Sequence, residues 1–315
     1  MVGRPQEQSA DEATSKLPEF PQVIIDDKFE RVLAVHPTGS TVEILLYGAT
    51  IISWKYKDIE RLWLSENAKL DGSRPVRGGL PLVFPMFGAA TSDHPPTSKL
   101  PQHGIARIAL WEYLGHSIID DEFTLAARLE FGLYSDSLPD SIRALWPYEF
   151  KLSYSVQLEH DRITTTLIVK NEGDVAFDYQ LLFHNYISCD IHTTEITGLE
   201  RGKYTDKTDG DKVKTEENFY VKISGETDRK YRTPRGEDDA ISVNDRENTR
   251  LIFYRYDLND LAVWNPWKEK AESMDDFMPK DGYEKFLCVD VGAINGWRTL
   301  EAGAKARGKQ TLWLL

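Results

Sequence analysis

Two apolar segments that read as strands are each interrupted by a residue that can transfer a proton. His184 follows the apolar run 181–183, and Asp290 lies inside the run 286–291. Alternation along a strand places Asp290 on the same face as Cys288. Because burying an ionisable group is costly unless it is paired, we expect both residues to have partners. If the two strands are neighbours, His184 and Asp290 face each other, either as general acid and base or as a buried hydrogen-bonded pair without a catalytic role.

A second group of candidate residues is suited to binding an anion. The segment 100–107, Leu-Pro-Gln-His-Gly-Ile-Ala-Arg, places Gln102, His103 and Arg107 within six residues. The planar guanidinium of an arginine fits phosphate or carboxylate with two hydrogen bonds. For Arg107 a surface salt bridge is the common alternative, and His103 could equally bond a backbone carbonyl.

The segment 77–88, Arg-Gly-Gly-Leu-Pro-Leu-Val-Phe-Pro-Met-Phe-Gly, adds Arg77 at the start of an unusual backbone. Two prolines and three glycines around an apolar run make a poor strand interior. Glycine-rich backbone of this kind turns sharply or approaches a ligand closely. The pattern therefore predicts either a ligand-binding loop or a buried loop that lines the core.

The elements that must position these residues are predominantly strands. Most segments between residues 42 and 291 alternate with period two, are rich in β-branched and aromatic residues, and end at turn residues. Many such segments, without alternating strand–helix units, predict an all-β fold: a large antiparallel β-sandwich with few short helices. Helical patterns are confined to 268–278 and 135–145. The charged, turn-rich runs 203–214 and 226–247 are predicted to be long loops.

Length and charge set limits on organisation and partners. The chain has 315 residues, with 38 lysines and arginines against 51 aspartates and glutamates, which gives a net charge of −13. Such a surface repels phosphate backbones and anionic lipid, so neither nucleic acid nor a membrane is a predicted partner. The two cysteines, Cys189 and Cys288, are too few for a disulfide framework, and with no apolar leader they predict a cytoplasmic protein. We expect residues 1–21 to form a flexible polar tail and residues 22–315 a single domain.

Motifs for several other chemistries are absent from the sequence. It contains no phosphate-binding Gly-x4-Gly-Lys-[Ser/Thr] or Gly-x-Gly-x2-Gly loop and no Gly-x-Ser-x-Gly elbow, so nucleotide cofactors and serine hydrolase chemistry have no support. His184, Cys189 and His192 form a metal-like cluster, but along a strand His184 and His192 lie too far apart to share an ion. The sequence therefore predicts neither a cofactor nor a metal.

Taken together, these segments resemble the glucose-6-phosphate 1-epimerase family, the hexose-6-phosphate mutarotases of the aldose 1-epimerase (galactose mutarotase-like) superfamily. The matching segments follow one another in the expected order along most of the chain. They are 47–50, 53–54, 62–65, 68–73, 77–88, 99–107, 182–184, 263–267 and the segment around Cys288. The resemblance implies a large antiparallel β-sandwich that interconverts the α and β anomers of a hexose 6-phosphate, glucose 6-phosphate first among them, without a cofactor.

The resemblance also implies roles for individual residues. The family's catalytic histidine corresponds to His184, and its catalytic carboxylate to Asp290. Its phosphate and substrate contacts correspond to five residues: Arg77, Gln102, His103, Arg107 and Asp206. We expect a monomer whose partner is this small-molecule substrate.

One departure from the family concerns the base. The family has a glutamate in a Cys-[Val/Ile]-Glu segment where this sequence has Asp290, which is one methylene shorter. In the implied mechanism this carboxylate takes the proton of the anomeric hydroxyl while protonated His184 gives one to the ring oxygen. Because a displacement of about 1 Å can cost on the order of a hundredfold in rate, a non-catalytic sugar-phosphate binder stays open as an alternative. A mutarotase for an unphosphorylated or otherwise altered sugar is a second alternative, and the roles of Arg77 and Arg107 discriminate it from a hexose-6-phosphate mutarotase. A lyase or hydrolase on the same fold is more remote, because the sequence identifies no second carboxylate.

Overall fold

β-Strands dominate the structure. The computed structural model describes residues 18–232, 240–245 and 250–315, so the tail predicted over residues 1–21 lies outside the described residues as far as residue 17. In the first half of the chain the strands are β1 (Gln22–Asp26), β2 (Arg31–Val35), β3 (Thr41–Leu45), β4 (Thr50–Tyr56), β5 (Ile59–Glu60), β6 (Leu82–Val83), β7 (Glu112–Asp120), β8 (Leu125–Tyr134), β9 (Phe150–Leu158) and β10 (Arg162–Asn171). In the second half they are β11 (Phe177–Phe183), β12 (Tyr186–Ser188), β13 (Glu195–Thr197), β14 (Lys203–Asp206), β15 (Lys212–Thr215), β16 (Thr227–Arg232), β17 (Ile241–Asn244), β18 (Arg250–Tyr256), β19 (Asp260–Asn265), β20 (Phe286–Leu300) and β21 (Lys305–Leu314).

The described strands form three sheets in which the paired strands are antiparallel. A small sheet has the order β1-β2-β3-β4-β5. The two larger sheets have the orders β13-β17-β18-β21-β10-β9-β8-β7 and β15-β14-β16-β19-β20-β11-β6, with β12 paired to β20. Tyr154 of one large sheet and Phe183 of the other enter the same hydrophobic core, with ring centroids 6.4 Å apart. The predicted all-β antiparallel sandwich is confirmed.

Helices are few and short in the described part of the chain. The α-helices are α1 (Asp140–Arg143) and α2 (Trp267–Ser273), and short 3₁₀ helices occur at Pro95–Thr97, Ala106–Ile108, Ser135–Ser137, Lys207–Asp209 and Lys280–Lys285. The helical patterns at 135–145 and 268–278 are confirmed in position, although α2 ends at Ser273. No helix among the described residues has both the length and the apolar character needed to cross a bilayer.

The two charged runs predicted to be long loops contain strands, which corrects that prediction. Residues 203–214 enter the β14–β15 hairpin, and residues 226–247 include β16 and β17, with 233–239 and 246–247 outside the described part. In β14, buried Tyr204 lies between an exposed and a half-buried neighbour. Charged side chains are tolerated here because β15 forms the edge of its sheet and the outward positions meet solvent.

The centre of one large sheet brings the two proton-transfer candidates together. β11 and β12 both pair with β20, and Tyr186 at the start of β12 lies opposite Cys288. The interruption between β11 and β12 holds His184 and Asn185, and it lies opposite the part of β20 that contains Asp290. The two segments are therefore neighbours in one sheet.

Candidate active site

A histidine and an aspartate meet at this interruption. His184 Nδ1 lies 2.8 Å from Asp290 Oδ2, and the two side chains are 10% and 1% exposed. The two atoms are in close contact, but the contact does not have the geometry of a well-formed hydrogen bond. Burial raises the pKa of Asp290, against the opposing effects of His184 and of the Asn185 backbone N–H. A carboxylate made more basic in this way is suited to accept a proton near neutral pH.

Backbone and amide groups hold Asp290 in place. Asn185 N donates to Asp290 Oδ1 at 2.8 Å, and Asn185 Nδ2 donates to Val289 O at 2.8 Å. Asn185 and Gln310 also exchange side-chain hydrogen bonds of 2.8 and 3.1 Å, and both residues are fully buried. Because a satisfied buried amide network is rigid, it fixes the direction in which Asp290 approaches His184.

The glycine-rich loop before β6 places Arg77 in the same cavity as His184 and Asp290. Arg77 Nη1 donates to the Tyr186 hydroxyl at 3.3 Å, and Arg77 Nε donates to Asp276 Oδ1 at 3.3 Å. Although burial acts to lower the pKa of Arg77, the Tyr186 hydroxyl and the Asp276 carboxylate raise it above its ordinary value. Gly78 makes the turn possible, because its φ is +114° and a Cβ there would lie 2.5 Å from Trp63 O.

Arg107, on the 3₁₀ helix Ala106–Ile108, is less fully compensated than Arg77. Its Nη2 donates to Gln102 O at 2.7 Å, whereas its Nε is buried without a hydrogen-bond partner. Burial lowers the pKa of Arg107 to about 10, and the like charge of Arg77 acts in the same direction while Tyr186 opposes it. The cation is therefore short of a negative partner.

The segment that carries Arg107 reaches this position because its backbone docks on the loop of Arg77. Ile105 N donates to Phe84 O at 2.8 Å. Gly104 has a φ of +74°, and a Cβ at that residue would lie 2.3 Å from the same oxygen. Any side chain at residue 104 would push this segment away from Phe84, so the motif requires glycine there.

His103 contributes a neutral imidazole to the same cavity. Gly88 N donates to His103 Nδ1 at 3.1 Å, so Nδ1 is the acceptor and the proton is assigned to Nε2. Burial, followed by the positive charge of Arg107, lowers the pKa of His103 well below its usual range. The ring centroids of His103 and His184 are 5.8 Å apart, and exposed Gln102 lies beside them. His103 is suited to donate a hydrogen bond to a hydroxyl without carrying charge.

A cavity of about 420 Å³ brings together most of the residues that the sequence singled out. The predicted residues that line it are Arg77, Gln102, His103, Arg107, His184 and Asp290. Its volume is within the range of small-molecule sites. A larger surface depression of about 610 Å³ lies beside Tyr134 and Glu172 and contains none of the predicted residues. Chemistry rather than size therefore identifies the candidate active site.

Asp206 is a predicted site residue that the structure does not bring to this cavity. In the pairing of β14 with β16, Asp206 lies opposite Arg229, which places it on the sheet face away from Asp228. Its carboxylate accepts hydrogen bonds from Thr208 Oγ1 at 2.7 Å and from Lys214 Nζ at 2.8 Å. Asp206 therefore caps the turn of its hairpin, and the substrate contact implied by the resemblance has no geometric support.

The structure adds residues to the cavity that the sequence did not single out. Lys207 and Asp228 both line it, with Lys207 Nζ 3.8 Å from Asp228 Oδ1 and 4.8 Å from the ring centroid of Phe87. Because residues 226–247 are predicted to be a loop, the sequence offers no reason to single out Asp228. In the strand β16, Asp228 lies on the face opposite buried Thr227. The alternation of buried and less buried residues could therefore have predicted which way Asp228 faces.

The donor atoms that could hold a metal differ from those considered in the sequence. His192 is 57% exposed and lies 3.9 Å from Glu284. Among the described residues, the clustered donors are instead those of His184, Cys288 and Asp290, which lie within 4.8 Å of one another.

Comparisons with known proteins point to sugar epimerases. A family model described as aldose 1-epimerase matches residues 30–313. A protein of Cenchrus ciliaris, provisionally named glucose-6-phosphate 1-epimerase, is 28% identical over 292 residues, which cover 90% of this chain and 84% of the relative. A protein of Escherichia coli K12 with the same provisional name is 30% identical over 269 residues, covering 84% of this chain and 83% of the relative.

Solved structures agree with this family. A crystal structure of a provisionally named mutarotase from Salmonella typhimurium has a TM-score of 0.78 at 25% identity and covers 95% of this chain and 94% of its own. Galactose 1-epimerase from Lactobacillus acidophilus shares the fold, with a TM-score of 0.71 at 14% identity over 94% of this chain and 98% of its own. The fold and the site together define a galactose mutarotase-like β-sandwich with a cavity lined by acidic, basic and imidazole groups. The chain belongs to the aldose 1-epimerase family, as the sequence resemblance predicted.

Proposed function

We propose that this protein interconverts the α and β anomers of a hexose 6-phosphate, with glucose 6-phosphate as the substrate to test first. The observation that carries the proposal is the buried Nε of Arg107, which has no partner, on a guanidinium whose pKa burial lowers to about 10. A partly buried cation without a counter-ion is unfavourable, and an anion in the cavity that Arg77 and Arg107 both line would relieve it. Phosphate suits this place better than a neutral hydroxyl, because hydrogen bonds to charged groups contribute about 1.5–3 kcal/mol each.

His184 and Asp290 would move two protons in opposite directions. Asp290 takes the proton of the anomeric hydroxyl while protonated His184 donates one to the ring oxygen. The bond between C1 and the ring oxygen breaks, and C1 becomes an aldehyde carbon. Rotation about the C1–C2 bond exposes the other face of the aldehyde, and ring closure returns both protons to the groups that supplied them.

The tight hold on Asp290 is compatible with this role. Its Oδ1 accepts from Asn185 N, and its Oδ2 contacts His184 Nδ1. A carboxylate oxygen has two lone pairs, so Oδ2 can also accept the anomeric hydroxyl from the cavity. The same contact leaves Nε2 of His184 as the atom that would donate to the ring oxygen.

The remaining lining residues offer partners for the sugar hydroxyls. His103 supplies an imidazole N–H, Gln102 an amide, and Asp228 a half-buried carboxylate held near Lys207. The names given to the relatives from Cenchrus ciliaris and Escherichia coli support the same substrate class.

Anomer exchange measured by NMR magnetisation transfer tests the proposal. We expect the protein to accelerate exchange of glucose 6-phosphate above its spontaneous rate and to act much more weakly on free glucose. A sample containing His184→Asn serves as the matched control. Equal acceleration of the two sugars would contradict the phosphate role, and binding of glucose 6-phosphate without acceleration would favour a non-catalytic sugar-phosphate binder.

A further inference from the structure

A buried thiol lies next to the proposed acid and base, and the proposed reaction does not use it. Cys288 is 0% exposed and shares a face of β20 with Asp290. It lies opposite Tyr186 of β12 on one side and opposite Trp264 of β19 on the other. Its Sγ, a ring nitrogen of His184 and a carboxylate oxygen of Asp290 all lie within 4.8 Å of one another.

We propose that His184, Cys288 and Asp290 form an inhibitory binding site for a thiophilic divalent cation such as Zn²⁺. Imidazole, thiolate and carboxylate are the ligand types of zinc, with bonds of about 2.0–2.3 Å. Ligand atoms around such an ion lie roughly 3.5 Å apart, so the three side chains need to shift by only roughly 1 Å. Mg²⁺ and Ca²⁺ fit poorly because they prefer sets of oxygen ligands.

Charge balance favours a dication at this position. On binding, the Cys288 thiol and a protonated His184 ring each release one proton to solvent, so that the imidazole binds as a neutral ligand and the thiolate and the Asp290 carboxylate together neutralise the ion. His184 Nδ1, which is buried without a well-formed hydrogen bond, gains a strong partner. Burial, followed by the negative charge of Asp290, raises the pKa of the Cys288 thiol well above its usual range, and the positive charge of Arg77 opposes this rise. The thiolate therefore forms only when the dication binds, as in other metal sites, where binding releases the ligand's proton.

The ion would reach the site through the cavity, because His184 and Asp290 both line it. Three protein ligands leave the fourth position of a tetrahedral zinc open toward the cavity. With Nδ1 of His184 bound to the ion, the ring cannot also carry the second proton that makes its Nε2–H acidic, and a coordinated carboxylate is a poor base. The ion therefore blocks both proton transfers, and this inhibition, unlike the binding itself, rests on the proposed function.

Cd²⁺ alone is the first probe, because a thiolate bound to Cd²⁺ gives an ultraviolet charge-transfer band that does not depend on activity. We expect the band to saturate at one equivalent in the full chain. The other cysteine offers a matched control, since Cys189 lines a different cavity. Cys189→Ala should keep the band, and Cys288→Ala should lose it. Absence of a band in the parent, or a band that survives Cys288→Ala, overturns the site.

Calorimetric titration with Zn²⁺ provides a second measurement, which uses a different variant and so remains informative if Cys288→Ala does not fold. Loss of an outer-shell partner typically weakens a metal site by about 10–100-fold, so loss of a direct ligand in Cys288→Ser should weaken Zn²⁺ binding by at least about tenfold. Circular dichroism checks that the isosteric variant is folded. Unchanged Zn²⁺ affinity in folded Cys288→Ser contradicts the proposal.

Anomer exchange in the presence of Zn²⁺ separates this proposal from the proposed function. We expect inhibition of the parent and of Cys189→Ala that a chelator reverses, and loss of inhibition in Cys288→Ala relative to its own metal-free rate. If the parent exchanges no anomers while the Cd²⁺ band depends on Cys288, the metal site stands and the enzymatic function fails. If exchange is normal and no band forms, the function stands and the metal site fails.

Discussion

The candidate active site and the β14–β15 hairpin treat their charged groups in opposite ways. In the hairpin, Lys214 Nζ contacts Asp206 and Asp209, each at 2.8 Å. In the cavity, Arg107 keeps a buried Nε without a partner, and Asp290 is buried against one imidazole. A fully paired charge stabilises the local fold, whereas a buried charge with incomplete pairing indicates a functional site.

The directions of the pKa shifts follow this contrast. Burial acts to raise the pKa of Asp206, but hydrogen bonds from Lys214 and Thr208 outweigh burial and lower it. For Asp290 burial dominates, and the pKa is raised. Burial likewise lowers the pKa of Arg107 to about 10. The hairpin therefore keeps the Asp206 carboxylate ionised. In the cavity, the pKa of Asp290 is raised and that of Arg107 is lowered, so both pKa values move toward neutral pH.

Neutralising one carboxylate in each region gives the largest expected difference. Asp290→Asn should slow anomer exchange on the order of 10²–10⁴-fold, because it removes the proton acceptor and keeps the shape. Asp206→Asn should leave the rate unchanged, because its carboxylate is engaged by Thr208 and Lys214 away from the cavity. NMR exchange rates on glucose 6-phosphate measure both. A large loss in Asp206→Asn would return that residue to the active site.

Lengthening the carboxylate separates proton transfer from positioning. Asp290→Glu should preserve or raise the rate if the carboxylate acts by direct proton transfer, because it restores the side chain that the family carries. If Asp290 only orients His184, Asp290→Asn should keep substantial activity and Asp290→Glu should lose it. The ratio of the two rates therefore decides which role applies.

Removing one cation from each region gives the next largest effect. Arg107→Ala should weaken binding of glucose 6-phosphate by about tenfold or more, the equivalent of one charge-assisted hydrogen bond, and barely affect glucose. Lys214→Ala is the matched control, because it removes a cation that already has two carboxylate partners. Titration of both sugars into both variants provides the measurement. Equal losses for the two sugars in Arg107→Ala would refute the phosphate role.

The sequence predicts the sandwich and most of the cavity because their signals are local. Period-two alternation defines the strands, and Gly104 is required where its backbone approaches Phe84 O. His184 and Asp290 each stand out as an ionisable residue in an apolar segment of the sequence. To predict that these two residues touch, one must also know that β11 and β12 both pair with β20.

Asp206 and Asp228 show where prediction from sequence ends. Both lie in charged runs that resemble loops, and which of them faces the cavity depends on the register of β14 and β16. Because successive residues of a strand point to opposite faces, a change of one position exchanges the two roles. Such a register is set by contacts distant in sequence, so composition alone cannot supply it.

The two arginines of the cavity should differ in their effect on stability. Arg77→Ala should lower the free energy of unfolding by about 1–3 kcal/mol, because it removes a hydrogen-bond partner of buried Asp276. Arg107→Ala should cost less, because its Nε has no partner and the hydrogen bond that is lost, from Nη2 to Gln102 O, leaves no buried carboxylate unpaired. Urea denaturation of both variants measures the difference. A greater loss in Arg107→Ala would show that its charge is compensated as fully as that of Arg77.

The smallest expected effect is a difference in how pH changes the stability of two variants. Because the native state raises the pKa of Asp290 above its ordinary value of about 3.9, the native protein binds more protons than the unfolded chain between the two values. Stability is therefore lost as pH rises through that window, and the full cost applies above it. Asp290→Asn removes this cost, so its stability relative to the parent should improve as pH rises above about 4.

For Asp206 the sign is reversed. Its lowered native pKa means that the ionised carboxylate stabilises the fold above the ordinary pKa of about 3.9, and that this contribution disappears as pH falls through the lowered value. Asp206→Asn should therefore be less stable than the parent at neutral pH, and the difference should shrink on acidification. Urea denaturation of the parent and of both variants at several pH values gives the two trends. Trends in the same direction would mean that Asp290 is paired as completely as Asp206, and the contrast between cavity and hairpin would no longer identify the reactive carboxylate.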